Sequence, residues 1–132
     1  YVPIKAESER ENLPMTFLGW RFDVETIISA SNFLILASDN EGTPIASIQA
    51  SLLGVPTLAT NVGSLRDIVL DEQTGILCEP GVTALLNAMK RIYENPIISE
   101  DFGRAAKRFA DKNFSVTSFL ANYEELYYSL KC

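Results

Sequence analysis

The residues best suited to chemistry in this sequence lie between Ser38 and Ala46. Glu41 is followed by Gly42, Thr43 and Pro44, and then by an uncharged stretch from Ile45 to Leu53. Pro44 suits the first position of a helix, where a missing N–H costs nothing, and Thr43 is expected to cap that helix. The N–H groups of Ile45 and Ala46 would then stand free at the positive end of the helix dipole. A carboxylate in the turn before a helix start, beside free backbone donors, makes a place for an anionic ligand. Gly42 would let backbone and ligand approach closely. Plainer readings compete. Glu41 can be a loop acid favoured by the dipole, worth about 0.3–1 kcal/mol. Gly42 can be an ordinary turn glycine, and Thr43 a cap and nothing more.

The flanking elements must position this loop. Phe33 to Ala37 has neither alternation nor charge, the pattern of a strand buried on both faces of a parallel sheet. Gly54 closes the helix from Pro44 to Leu53, and Val55 to Ala59 starts the next strand. Upstream, Met15 to Leu18 reads as a short strand ended by Gly19. Asp23 is expected to cap a helix with Val24, Ile27 and Ile28 on one face. Residues 1 to 12 are a polar candidate helix. Downstream, Asn61 to Gly63 forms a second loop after a strand. Ser64 and Asp67 have capping-box spacing at the head of a short helix that buries Leu65, Ile68 and Val69.

A strand follows from Gly75 to Cys78. Val82, Leu85, Leu86, Met89, Ile92 and Tyr93 mark an amphipathic helix ended by Asn95 and Pro96. Ser99 is expected to cap a helix that turns Phe102, Ala105, Ala106 and Phe109 inward. The last helix begins near Ser115. Strand and helix in alternation mean an α/β fold, a parallel sheet with helices on both faces. Such sheets take ligands at the carboxyl ends of their strands, where each loop singled out above falls. No repeat or linker divides residues 1–132, so they read as one domain.

The uncharged helix is expected to be largely buried, with Ile45, Ile48, Leu52 and Leu53 on a bulky side and Ala46, Ser47, Ala50 and Ser51 on a small one. Gln49 falls among the bulky residues. Its amide is either satisfied by neighbouring backbone or lines a cleft, since burial unpaired costs about 1–3 kcal/mol.

Composition narrows the classes. With 47% hydrophobic and 21% charged residues, a packed domain is the default and disorder is not. A net charge of -6 argues against a nucleic-acid partner, which calls for a basic face. The sequence has no histidine, and its acids and two cysteines show no metal-ligand spacing. Cys78 and Cys132 do not make a secreted disulfide framework. No apolar run approaches a membrane span and no signal peptide opens the sequence, so a cytoplasmic setting is expected. Arg104, Lys107, Arg108 and Lys112 form a basic stripe, read as a solvated face rather than a membrane contact.

The order of motifs resembles the donor-binding, C-terminal half of family 4 retaining glycosyltransferases, which have the Rossmann-like GT-B fold. Glu41-Gly42-x-Pro44 is followed by Ala50-x-x-x-Gly54-x-Pro56 and Ala59-Thr60-x-x-Gly63. Phe17-Leu-Gly19-Trp20, Asn61-Val-Gly63, and Thr74-Gly-Ile-Leu77 before Pro80 add to the match. The family pattern carries a pair of glutamates at the spacing of Glu41 and Gln49; here a glutamine stands in the second place.

The resemblance implies transfer of a sugar from a nucleoside-diphosphate donor to an acceptor, with retention and without a metal cofactor. It implies that Glu41 faces the transferred sugar and steadies positive charge at the anomeric carbon. It places the backbone of Gly42, Thr43, Pro44, Ile45 and Ala46 against sugar hydroxyls and diphosphate, and Gln49 toward the ribose. Gly19 and Trp20 would border the base, and Asn61 and Gly63 the cleft. The family's first strands, their diphosphate-binding Arg and Lys, and the N-terminal domain for a sugar or lipid-linked acceptor all precede the matched region. An N-terminally incomplete chain with an exposed sheet edge is therefore expected, inactive by itself. In the longer protein, peripheral contact with the inner face of a membrane stays open. Gln49 keeps a second reading open, a noncatalytic nucleotide-sugar-binding or regulatory module of the same fold.

Overall fold

Three short parallel strands carry the architecture of the computed structural model, which describes residues 2–130. In chain order the elements are α1 (Val2–Arg10), α2 (Val24–Ser29), β1 (Leu34–Leu36), α3 (Ile45–Leu52), β2 (Thr57–Thr60), α4 (Leu65–Ile68), β3 (Gly75–Cys78), α5 (Val82–Glu94), α6 (Pro96–Asn113) and α7 (Val116–Ser129). The sheet order is β1-β2-β3, with Leu36 opposite Ala59 and Ala59 opposite Leu77. All four residues of β2 are buried, as befits the central strand of a sheet covered on both faces.

Alternation along the strands divides the core. Leu58 and Ile76 pack with Ala88, Ile92 and Phe102 from α5 and α6. Ala59 points the other way and packs with Leu65, Ile68 and Val69, with Leu36, Ile48 and Leu77 against them. Ile28, Ala50 and Val55 form a third cluster with Leu34. Helices thus cover both faces of an α/β, Rossmann-like sheet. β1 is an edge strand, and its Ile35 is 36% exposed.

Several expectations need correction. Met15 to Leu18 is not a strand among the described residues, and Met15 and Leu18 remain about half exposed. An apolar run becomes a strand only beside a partner that takes its backbone groups. The helix expected to open at Ser99 opens at Pro96, which fills the first helical turn, while Ser99 lies inside the helix and donates to the Asn32 carbonyl. A proline that cannot continue one helix can start the next. Pro44, not Thr43, occupies the cap position of α3, without a side-chain cap bond. Asp23 sits at the cap of α2, yet its carboxylate accepts from the Arg21 guanidinium at 2.6 and 2.8 Å instead. The last helix begins where expected, and Ser115 caps it, accepting from the Ser118 N–H at 3.1 Å.

The α3 helix buries its small side. Ser47, Ala50 and Ser51 are its buried residues, whereas Ile45 is 60% exposed. Close approach decides this. Ser47 Oγ donates to Thr57 Oγ1 at 3.0 Å, and Gly54 meets Gly103 of α6 backbone to backbone. Large side chains would hold the helix off the sheet. Among the described residues no helix is long and apolar enough to cross a membrane. Half of the basic stripe on α6 is paired in place: Arg104 with Asp101 and Glu100, and Lys107 with Asp111. Cys132 lies outside the described residues, as does any pairing of Cys78 with it.

Candidate functional site

Two loops meet at the carboxyl ends of β1 and β2. The first runs from Ala37 to Pro44 and the second from Asn61 to Ser64. Glu41 is half-buried at the turn of the first. Its Oε1 accepts from Ser38 Oγ at 2.6 Å, and its other oxygen has no hydrogen-bond or ion-pair partner among the described residues. The Ser38 carbonyl accepts from Thr60 Oγ1 at the end of β2. Ser64 Oγ donates across to the Gly42 carbonyl rather than capping its own helix. Gly63, at φ +55°, packs its Cα against the Glu41 carbonyl. The two loops are therefore one unit.

Gly42 and Thr43 are exposed, and open space lies where a side chain on Gly42 would begin. At the start of α3 the Ile45 N–H, expected to be free, is donated back to the Thr43 carbonyl at 2.9 Å. The Ala46 N–H has no partner among the described residues, so one donor at the helix start stays unused. Pro44 is buried beneath this turn. Gln49, one helical turn on from Ile45, is half-buried, and its amide makes no hydrogen bond among the described residues. The reading of Gln49 as a satisfied buried amide gains no support.

Asn61 adds an acceptor. Its N–H donates to the Cys78 carbonyl at 2.8 Å, while its side-chain Oδ1 is buried without a partner among the described residues. Most buried acceptors in folded proteins have a partner, so this atom marks a place that a hydroxyl or water would complete. Cys78, at the end of β3, has its thiol pKa pushed up by burial.

No hydrogen bond joins Gly19 to these loops among the described residues. Trp20 is 88% exposed, and no hydrogen bond or ring contact ties it to the Glu41 turn among the described residues. A cavity of about 380 Å³ lies at the opposite ends of the strands, lined by Phe33, Pro56, Tyr93 and Pro96 among others, and holds none of the predicted residues. The loops at the carboxyl ends form one open wall. Ser38, Thr60 and Ser64 had no site role in the sequence reading. A serine three positions before an acid in a turn was the available signal for Ser38.

Comparison with known proteins adds the following. The family profile described as glycosyl transferases group 1 matches residues 3–109. The N-acetyl-alpha-D-glucosaminyl L-malate synthase of Bacillus anthracis is 25% identical over 115 residues, 86% of this chain and 30% of that protein. An Escherichia coli UDP-Gal:alpha-D-GlcNAc-diphosphoundecaprenol alpha-1,3-galactosyltransferase is 30% identical over 86 residues, 64% of this chain and 22% of that one. Among solved structures, the sucrose-phosphate synthase of Thermosynechococcus elongatus superposes with a TM-score of 0.87 at 28% identity, covering 98% of this chain and 34% of that one. Anabaena HepE, solved with UDP, gives 0.89 at 23% identity over 98% of this chain and 36% of its own, and speaks to the fold alone. The chain spans about a third of the length of these structures.

Proposed function

This chain belongs to the group 1 glycosyl transferases, and we propose that it is the donor-binding half of a retaining enzyme that moves a sugar from a nucleoside diphosphate to an acceptor. The observation that carries the reading is the setting of Glu41. It stands half-buried at the carboxyl end of β1, one oxygen held by Ser38 and the other open, just before the start of α3. A carboxylate held there suits positive charge developing at an anomeric carbon, the charge that carboxylates stabilise in sugar chemistry. In this reading the Gly42–Ala46 backbone meets sugar hydroxyls and diphosphate, with the Ala46 N–H as its unspent donor. Gln49 accepts from the ribose through its amide oxygen, and Asn61 Oδ1 accepts a hydrogen bond from a hydroxyl. Gly63 serves the site by fitting against Glu41. Gly19 and Trp20 border the base only if a further segment brings base and ring together.

The donor class is a nucleoside-diphosphate sugar. HepE has been solved with UDP and with UDP-glucose, and carrying that chemistry to this chain is part of the proposal. The charge stabilisation comes from Glu41 and backbone N–H groups, and no metal ligand is assigned. The second wall of the cleft, the acceptor site and the diphosphate-binding cations belong to the rest of a longer protein; the open edge of β1 supports that reading. The acceptor is a sugar or a lipid-linked sugar, and the setting is carbohydrate biosynthesis in the cytoplasm. Titration of the full-length protein with UDP, GDP and ADP tests nucleotide binding, and release of sugar from the matching donor tests transfer. Absence of binding to all three sinks the proposal.

Gln49 favours a second reading. A site with an amide in place of the second acid suits a module of the same fold that binds a nucleotide sugar without turning it over. Binding without turnover by the full-length protein is its signature.

A further inference from the structure

The acid on which the proposed function turns is held by Ser38, a residue that no motif of the resemblance contains. Ser38 Oγ donates to Glu41 Oε1 at 2.6 Å, inside the range of a hydroxyl bonded to an ionised carboxylate, which is about twice as strong as a neutral pair. The Ser38 carbonyl is itself fixed by Thr60 Oγ1, and Thr60 is a buried residue of the central strand. A line of two hydrogen bonds therefore runs from the sheet to the carboxylate. A free glutamate in an open turn keeps several rotamers, and locking it costs conformational entropy that some partner must offset. Here the lock closes on one oxygen and leaves the other open, which a serine can do and a bidentate arginine cannot.

We propose that Ser38 is a positioning residue for Glu41, holding one carboxylate oxygen so that the other faces the donor sugar, with Thr60 as the anchor behind it. This rests on the role given to Glu41 above. A plain turn-stabilising serine would make the same bond, so the test must read catalysis and fold separately. Misplacement of a reacting group by about 1 Å can cost on the order of 100-fold in rate.

The experiment uses the full-length protein with UDP-glucose, GDP-mannose and ADP-glucose as donors. Ser38→Ala should lower kcat about 10- to 100-fold on the donor that turns over, with KM for that donor within about twofold and an unchanged melting curve. Ser38→Thr, which keeps the hydroxyl, should recover most of the rate. In a Glu41→Gln background Ser38→Ala should cost nothing further. Thr60→Val, isosteric and buried, should give a smaller loss with the same dependence on Glu41, and it carries the test should Ser38→Ala fail to fold. Unchanged kcat in Ser38→Ala or, in its place, Thr60→Val overturns the inference, as does an equal loss with and without Glu41. If Glu41→Gln removes turnover while Ser38→Ala does not, the inference alone falls. If Glu41→Gln keeps full turnover, or none of the three donors reacts, the proposed function falls and takes this inference with it.

Discussion

The carbonyl oxygen of Glu41 fills the space in which a side chain on Gly63 would begin: a Cβ there would stand 1.8 Å from it. Gly63 also holds φ +55°, which costs an L-residue about 1–2 kcal/mol. Gly63→Ala must therefore push the Glu41 turn away as well as strain its own backbone. The expected result is a loss of about 1–3 kcal/mol in urea unfolding and at least about tenfold in donor turnover of the full-length protein. A variant with both values intact would show that the two loops do not touch.

Glu41→Gln separates charge from shape. The amide keeps the volume and can still accept from Ser38, so the fold should stand and the melting curve should not move. Turnover in the full-length protein should drop by at least about 100-fold, the scale of losing one electrostatic contact made in a transition state. Full turnover in this variant would remove Glu41 from the mechanism.

The strands were legible because unbroken apolar runs such as Phe33–Ala37 have few other uses, and α5 and α7 because their apolar spacing is regular. What failed was information held between elements. Met15 to Leu18 looks like a strand from its own residues, but pairing is a property of the neighbour. Which side of α3 faces the sheet was not legible, because side-chain volume says nothing of how near the sheet lies; Ser47 against Thr57 sets that distance. Glu41 and Gly42 were readable from type and setting. Ser64 was readable only as a cap, since no local pattern reveals that its hydroxyl crosses to the Gly42 carbonyl.

Gly103 offers a control far from the cleft. A Cβ on it would lie 2.2 Å from the Gly54 carbonyl, at the close crossing of α3 and α6. Helix propensity favours alanine by about 1 kcal/mol, but pressing a methyl into a backbone carbonyl costs about 1–3 kcal/mol. The clash meets a backbone carbonyl that cannot swing aside, so Gly103→Ala should destabilise the protein by up to about 2 kcal/mol. Nucleotide affinity at saturating fold should not change. Weakened binding would mean that the α3–α6 crossing is coupled to the Glu41 loops.

The Glu72–Arg91 pair predicts a pH dependence of small size. Both oxygens of Glu72, in the turn before β3, accept from the Arg91 guanidinium, which holds the carboxyl below its ordinary range. Arg91 shifts upward for the same reason. A depressed carboxyl contributes stability above its unfolded value and loses it as pH falls through the folded one. The side chains are 45% and 46% exposed, so solvent limits the contribution to about 0.5 kcal/mol. Glu72→Gln should cost that much at neutral pH. The gap to wild type should shrink as pH falls below the ordinary glutamate range and vanish in acid or high salt. A gap that persists in acid would mean that Glu72 acts through packing.

Gln49→Glu decides between the two readings of the site. α3 turns its small side inward, so position 49 lies on the half of the helix that the sheet does not need, and its amide has no partner to lose. An acid there should leave the fold intact. If the ribose of a donor meets this residue, a charged acceptor replaces a neutral one and nucleotide binding should tighten several-fold, about 1 kcal/mol. Calorimetry on the full-length protein measures this directly. Turnover then separates the cases. A module silenced by the amide should gain donor release when the acid is put in its place. An enzyme that already works with glutamine should gain affinity with little change in kcat. Unchanged affinity would place Gln49 outside the ribose site, and an unfolded variant would show a structural amide after all.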